Sequence, residues 1–284
     1  MTIQRRFDPV DGRALVPLPA FSLADRQIEL LTPGDRHVWI VVAAFQEQER
    51  IVETLDALSR QVLPAVVCVV DNGSTDGTVG IVREWARRHP DQPLRLVHEP
   101  EKGTGAAADT GMRVAIAAGA RLILRTDADC LPHPDWSAQM AAALDGGLDM
   151  AAGRTVPRTD LEPVHWWEPA LIEALMAVSD FVGRVRPSNK GEGYRTRYRL
   201  CIGNNIGVRA SMYVASGGFP RSRIEEVHED RALMNRMRRV THRIGTERSA
   251  VVATSIRRLR AYGLFGILRW YLDHGGGNGV VDVR

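Results

Sequence analysis

Leu122-Ile123-Leu124-Arg125-Thr126-Asp127-Ala128-Asp129 is the stretch on which the reading of this chain turns. An apolar run of strand length ends on two carboxylates one residue apart. Carboxylates are almost never buried unless they are paired or metal-bound. In an α/β sheet, ligands bind in the crevice beyond the carboxyl ends of the strands. Asp127 and Asp129 are therefore candidate seats for an anionic ligand and a divalent cation. Taken alone, the pair has a second reading as a strand that ends in an acidic turn, because turns favour Asp. The flanking sequence has to decide.

Upstream, strands and helices alternate. Val38 to Ala44 is a nearly continuous apolar run, as expected for a strand covered on both faces. Ile51, Leu55, Leu58 and Val62 recur at helical spacing, which predicts an amphipathic helix over 48–61. Val66 to Val70 is a second buried strand. A polar turn follows at 71–78, where Ser74, Thr75 or Asp76 can cap a helix running to about Arg88. His89 to Pro93 stops that helix, Leu94 to His98 is a third strand, and the small residues from Gly103 to Gly119 predict a helix packed closely on the sheet. Arg121 to Thr126 is then the fourth strand. This rhythm predicts a mainly parallel sheet with right-handed crossovers. After Thr159 it is lost: helix-like stretches at 166–181 and 230–239 flank a polar loop at 187–199. Residues 1–36, rich in Pro and Asp, read as an irregular N-terminal extension, and Gly275 to Gly279 marks a flexible tail.

Composition narrows the function classes. The 284 residues, 44% hydrophobic, can bury a full α/β core. No apolar run reaches 18 residues and the first residues lack a signal-peptide pattern, so neither a transmembrane helix nor secretion is expected. Cys68, Cys130 and Cys201 are few, odd in number and far apart, which argues for a reducing, cytoplasmic setting and against disulfides or a zinc site. The net charge is a mild +3, and aromatics at 6% offer no stacking ladder, which excludes nucleic acid as the expected ligand.

Three strand ends carry polar groups: Ala43-Ala44-Phe45-Gln46-Glu47, Val70-Asp71-Asn72-Gly73-Ser74 and Thr126-Asp127-Ala128-Asp129. In a doubly wound sheet, adjacent strands bring such ends to one crevice. With these residues in order the chain resembles the family 2 glycosyltransferases of the GT-A fold, over about His37 to Glu247. Val38 to Arg50 looks like that family's opening strand and P-x-Y-N-E turn, with Ala43, Phe45 and Gln46 in place of Pro, Tyr and Asn. Val69 to Thr78 matches V-V-D-x-G-S-x-D-G-T almost letter for letter. Gly103, Ala107 and Gly111 are retained in a segment where Asp109 replaces Asn. Asp127-Ala128-Asp129 with Pro134-Asp135-Trp136 matches D-A-D-x-x-x-x-P-D-W. Gly217-Gly218-Phe219 and Glu229-Asp230 resemble the acceptor-side G-G-F and E-D block.

The resemblance implies a GT-A, Rossmann-like, mainly parallel sheet flanked by helices, with an acceptor-side C-terminal half. It divides the chain into a domain over 37–248, whose nucleotide-sugar half is 37–159 and acceptor half 160–248, followed by a basic segment and tail over 249–284. It implies a nucleotide-sugar donor held by Ala44, Phe45, Glu47, Asp71, Lys102, Gly103 and Asp127. Asp129 would ligate Mn²⁺ or Mg²⁺ on the diphosphate, in keeping with the oxygen ligands such ions take. Asp230, with Glu229 as alternate, would be the base that deprotonates an acceptor hydroxyl, and a single displacement would invert the anomeric centre.

Plainer readings stand beside these roles. Glu47 suits the first turn of a helix, Asp71 can cap its own turn, Lys102 suits a solvated loop, and Asp230 can pair with Arg231 or Arg236. His228 and His242 are surface or packing residues before they are metal contacts. The basic stretch Thr254 to Arg260 before Ala261 to Leu272 has three readings: a helix over the sheet, a helix on an anionic membrane meeting a lipid-linked acceptor, or Arg257 or Arg258 on the diphosphate. Rival functions are a sugar-phosphate nucleotidylyltransferase, a dehalogenase-type phosphatase, and a binding protein without turnover. The first needs a glycine-rich loop that 43–50 lacks. The second needs its Asp pair early in the fold. The intact Asp127, Asp129 and Asp230 weigh against the third. Nucleotide, sugar and acceptor stay open, with acceptor choice expected within 160–228.

Overall fold

A computed structural model of the chain describes residues 22–24, 26–34, 36–160, 165–191, 193–221 and 229–255, with the backbone only of Ser188. In chain order the elements are β1 (Ile28–Thr32), β2 (Val38–Ala44), α1 (Ile51–Ser59), β3 (Val66–Asp71), α2 (Thr78–Arg88), β4 (Leu94–His98), α3 (Thr104–Ala117) and β5 (Leu122–Asp127). There follow β6 (Cys130–Pro132), α4 (Trp136–Asp145), β7 (Met150–Pro157), α5 (Glu168–Val185), β8 (Ile206–Arg209), α6 (Ala210–Ser216), α7 (Glu229–Val240) and β9 (Ile244–Thr254). Among the described residues the strands form one mixed sheet in the order β1-β4-β3-β2-β5-β8-β7-β9-β6.

The middle of the sheet is parallel, β4-β3-β2-β5, because α2, α3 and α1 carry the chain back between strands. These strands are apolar on both faces because helices cover both. Trp39, Ile40, Val41 and Val42 are at most 1% exposed, and fully burying such a side chain contributes about 1.5–3 kcal/mol. The small residues of α3 have the role expected of them. Gly105 through Ile116 are all buried, and a Cβ on Gly111 would come within 2.4 Å of Val41 Cγ1. Only glycine lets this helix approach the sheet so closely.

The sheet extends beyond the four strands read from the sequence. Residues 28–32, taken as part of an irregular extension, form β1, which pairs antiparallel with β4 and covers what would be an open edge. β8 is antiparallel to β5, β7 is antiparallel to β8, and β9 runs parallel to β7 and antiparallel to β6. β9 continues to Thr254, so the boundary drawn at 248 falls inside a strand. Its pattern is broken by a register shift, Gly153 pairing with Glu247 and Arg154 with Val251, which hides the alternation. The rest of the C-terminal segment, Arg257 and Arg258 included, lies outside the described residues, as do His228 and most of the N-terminal extension.

Candidate active site

Register places the acidic strand ends side by side. Ala43 of β2 pairs with Val70 on one side and Asp127 on the other, and Ala44 pairs with Asp71. Asp71 and Asp127 therefore flank the end of β2, at the carboxyl edge of the parallel strands. Asp127 and Asp129 are partly exposed while Ala128 between them is buried, so both acids of the pair are turned outward from the core. Asp129 Oδ1 accepts a hydrogen bond from Cys130 Sγ at 3.4 Å.

The loops after β2, β3 and β4 are tied into one unit. Gln46 sits at φ +57°, a left-handed conformation unusual for a side chain larger than glycine. Its backbone N–H donates to Ser74 Oγ at 3.0 Å, and its Oε1 accepts from Thr75 and Asp76 N–H at 3.2 and 3.1 Å. Gln46 thus does by its own hydrogen bonds what makes its strained backbone tolerable. Asp76 accepts from the N–H and hydroxyl of Thr78 and from Gln48 N–H. It therefore acts just ahead of α2, whose N-cap position is Gly77 and has no side-chain cap bond; Ser74 and Thr75 serve Gln46 instead.

Asp71 is 3% exposed. Its carboxylate accepts from Gly73 and Ser74 N–H at 3.2 and 3.1 Å and lies 3.2 Å from His98 Nδ1. The turn-capping role is therefore real, at a strand end facing the crevice. Asn72 links the next loop: its amide donates to the carbonyls of Glu99 and Glu101, and its Oδ1 accepts from Gly103 N–H at 2.8 Å. Gly103 opens α3 at φ +139°, where a side chain would be strained. Lys102 donates to the carbonyls of Asn72 and Gly73 at 3.0 and 3.1 Å, and its ammonium lies 4.5 Å from the centre of the Phe45 ring. Lys102, Phe45, Asp71 and Gly103 are brought together. Glu47 is buried behind them, with its N–H donating to Thr78 Oγ1 at 2.9 Å, and Ala44 is a buried strand residue whose carbonyl accepts from Asn72 N–H.

Glu229 and Asp230 stand in the first turn of α7. The residue that joins Glu229 to Asp127 is Arg125, fully buried in β5. Its Nη2 reaches Glu229 Oε1 at 3.3 Å and Asp127 Oδ1 at 3.5 Å, and its guanidinium lies 4.9 Å from the centre of the Phe219 ring. Its Nε and Nη1 have no hydrogen-bond partner among the described residues. Gly203 makes room for it, since a Cβ there would lie 2.9 Å from Nη1. Arginine in an otherwise apolar strand was the available signal, because a buried charge needs partners, and the sequence reading gave it no role.

Asp230 Oδ1 accepts from Arg231 N–H at 2.6 Å. Burial and the neighbouring Glu229 charge push its carboxyl up to about 7, against the pull of the Arg231 and Gly203 backbone N–H groups and Arg125. That value suits a base working near neutrality. Neither Arg231 nor Arg236 takes its carboxylate in a side-chain ion pair: Arg236 instead donates to the carbonyls of Gly217 and Gly218. His242 is exposed, just before the start of β9 where Ile244 pairs with Met150. That is the opposite end of the sheet from the acidic strand ends, so His242 is no contact of this site. Part of the loop expected to choose the acceptor is held to α7: Arg238 donates to the carbonyls of Asn189 and Thr196, and Asn235 donates to Asn189 Oδ1.

The chain is similar to known proteins. The chain is 31% identical over 120 residues to the glycosyltransferase AglE of Haloferax volcanii, covering 41% of this chain and 38% of that protein. It is 27% identical over 173 residues to the polyprenol monophosphomannose synthase of Mycolicibacterium smegmatis, covering 60% of this chain and 64% of that one. It thus spans less than two thirds of either relative. A solved mannosyltransferase of Pyrobaculum calidifontis, in complex with GDP-Man and Mn²⁺, has the same GT-A fold: the TM-score is 0.58 at 24% identity, covering 81% of this chain and 62% of that one. The family model described as "Glycosyl transferase family 2" matches residues 39–213, more than half of the chain. With its acidic strand ends and GT-A sheet, the chain belongs to glycosyl transferase family 2.

Proposed function

We propose that the protein transfers a sugar from a nucleotide-diphosphate sugar to an acceptor hydroxyl with inversion. The observation that carries this is that Arg125 joins Asp127, at the acidic end of β5, to Glu229 beside Asp230. Phe45, Glu47, Asp71, Lys102 and Gly103 form the nucleotide seat, with the loops pre-tied so that little ordering is needed on binding. Asp127 faces ribose or sugar. Asp129 fits a hard divalent ion, since such ions take one or two carboxylates and complete their shell with phosphates and water rather than needing an all-protein cage. Mn²⁺ or Mg²⁺ held there would offset charge on the departing nucleoside diphosphate.

Asp230, with Glu229 as alternate, accepts the acceptor proton as the new oxygen–C1 bond forms. The bond from C1 to the diphosphate oxygen breaks on the opposite face, and the nucleoside diphosphate leaves. The likeness to a polyprenol monophosphomannose synthase supports a lipid-linked acceptor met at a membrane surface. The three free, buried cysteines support a reducing, cytoplasmic setting.

The test is thermal stabilisation by UDP-, GDP- and dTDP-sugars, with and without Mn²⁺, on the wild type and Asp129→Ala. A donor at about a hundred times its Kd adds roughly 2.7 kcal/mol. A metal-dependent shift from one nucleotide, lost in the variant, is expected. No shift from any donor, or one that Asp129→Ala leaves intact, overturns the assignment.

A further inference from the structure

The helix α5 is apolar nearly all round: Leu171, Ile172, Leu175, Met176 and Val182 are half-buried, and a second apolar stripe is left in water. Of its 18 residues only Glu168, Ser179 and Gly183 are buried. A surface helix normally turns its apolar stripe to the core and its charges to water. Here the outward stripe is Ala170, Ala174, Ala177, Val178, Phe181 and Val185, at helical spacing and all exposed. Phe181 is 64% exposed and Trp166, just before the helix, is 91% exposed. The charges on that stripe, Glu173 and Arg184, are drawn into ion pairs with Arg154 and Asp180. Among the described residues no helix is long and apolar enough to cross a membrane.

Charge says what can cover this face. Between residues 184 and 199 stand Arg184, Arg186, Lys190, Arg195, Arg197 and Arg199, against Glu192 alone. All of these cations but Arg186 are exposed. A two-fold contact between copies through α5 brings these clusters toward each other, which like-charge repulsion opposes. Exposed Trp and Phe beside a row of cations match the interfacial zone of an anionic bilayer: the rings enter the headgroup boundary and the cations meet lipid phosphates. The helix also stands next to the chemistry. Gly183 allows the Tyr198 ring to pack on α5, where a Cβ would lie 2.3 Å from it. Asp180 Oδ1 accepts from Leu200 N–H at 2.7 Å. Cys201, next in the chain, places its thiol 3.4 Å from the Asp230 carbonyl. A membrane under α5 therefore lies within a short path of the acceptor side.

We infer that the face of α5 with Trp166, Phe181 and the cations that follow is a docking surface for anionic membrane, seating the chain where a lipid-borne acceptor can reach Asp230. This rests on the lipid-linked acceptor of the proposed function. The experiment is flotation of the full chain with vesicles of phosphatidylcholine alone and of phosphatidylcholine with phosphatidylglycerol, at low and high salt. It uses the wild type, Phe181→Asp, a Lys190→Glu/Arg195→Glu pair, and Val62→Asp as an exposed apolar control far along the chain. Expected is binding to the anionic vesicles that weakens with salt, falls roughly tenfold in Phe181→Asp and in the charge-reversed pair, and is unchanged in Val62→Asp. The inference is overturned by no binding of the wild type, by binding that Phe181→Asp leaves intact, or by an oligomer that Phe181→Asp dissociates in the absence of vesicle binding. Donor stabilisation measured on the same samples separates the two ideas: a chain that binds donor but no vesicle loses the docking surface alone, and one that binds vesicles but no donor keeps it and loses the transferase reading.

Discussion

The helices α3 and α5 are both rich in small and apolar residues, yet they have opposite fates. α3 buries twelve consecutive residues against β2 and β3, and α5 buries three of eighteen. The first belongs to a half whose loops are already bonded to one another through Gln46, Asn72 and Lys102. The second belongs to a half that leaves apolar surface to water. On the proposed function, the contrast puts donor binding in a half whose loops are tied to one another and leaves α5 as the surface open to a partner.

Asp230→Asn is the strongest way to test the division. Transfer should fall about 10²- to 10⁴-fold while donor stabilisation persists, as read by product formation and by thermal shift; loss of donor binding as well would break the separation of the halves. Arg125→Met strikes the joint between them. It leaves Glu229 beside an apolar side chain, and breaking such a buried pair costs about 3–5 kcal/mol, measurable by urea unfolding. It also removes a cation that holds Asp230 down, so the rise of transfer rate with pH, centred near 7 in the wild type, should move to higher pH. Glu229→Gln removes a repelling charge and should move it lower.

Stability should show the reverse slope. A carboxyl raised by folding binds its proton more tightly folded than unfolded. The Asp230 contribution therefore makes stability fall as pH rises from the ordinary carboxylate range to about 7, and level beyond it. Denaturation of wild type and Asp230→Asn across this window checks it, because the variant should lose that slope. Within the complete half, Gly111→Ala sets a methyl 2.4 Å from Val41 Cγ1 and should cost about 1–3 kcal/mol by overpacking. On the open half, Phe181→Asp should change unfolding free energy by less than about 0.5 kcal/mol. A large loss there would mean that α5 is part of the core.

The donor side was legible because its signals are local. Continuous apolar runs, the Val69–Thr78 block and the Asp127–Asp129 pair each lie within a dozen residues, and a parallel sheet converts them into neighbours by its fixed register. The later strands, and β1 near the N-terminus, were not legible in the same way. β8 is four residues long, β9 carries a register shift, and β1 is a short run between polar residues, so each exists as a strand because a distant partner completes its hydrogen bonds.

The sequence by itself determined the order of strands and helices from β2 to β5 and the acids that end the strands, since period and composition are properties of neighbouring residues. Only the tertiary structure decided that Arg125 joins Asp127 to Glu229, 102 positions apart, and that α5 leaves one apolar stripe exposed. Those facts depend on which surfaces remain to be covered once the whole chain has packed. A burial pattern of that kind is set by contacts across the sheet, not by the residues on either side.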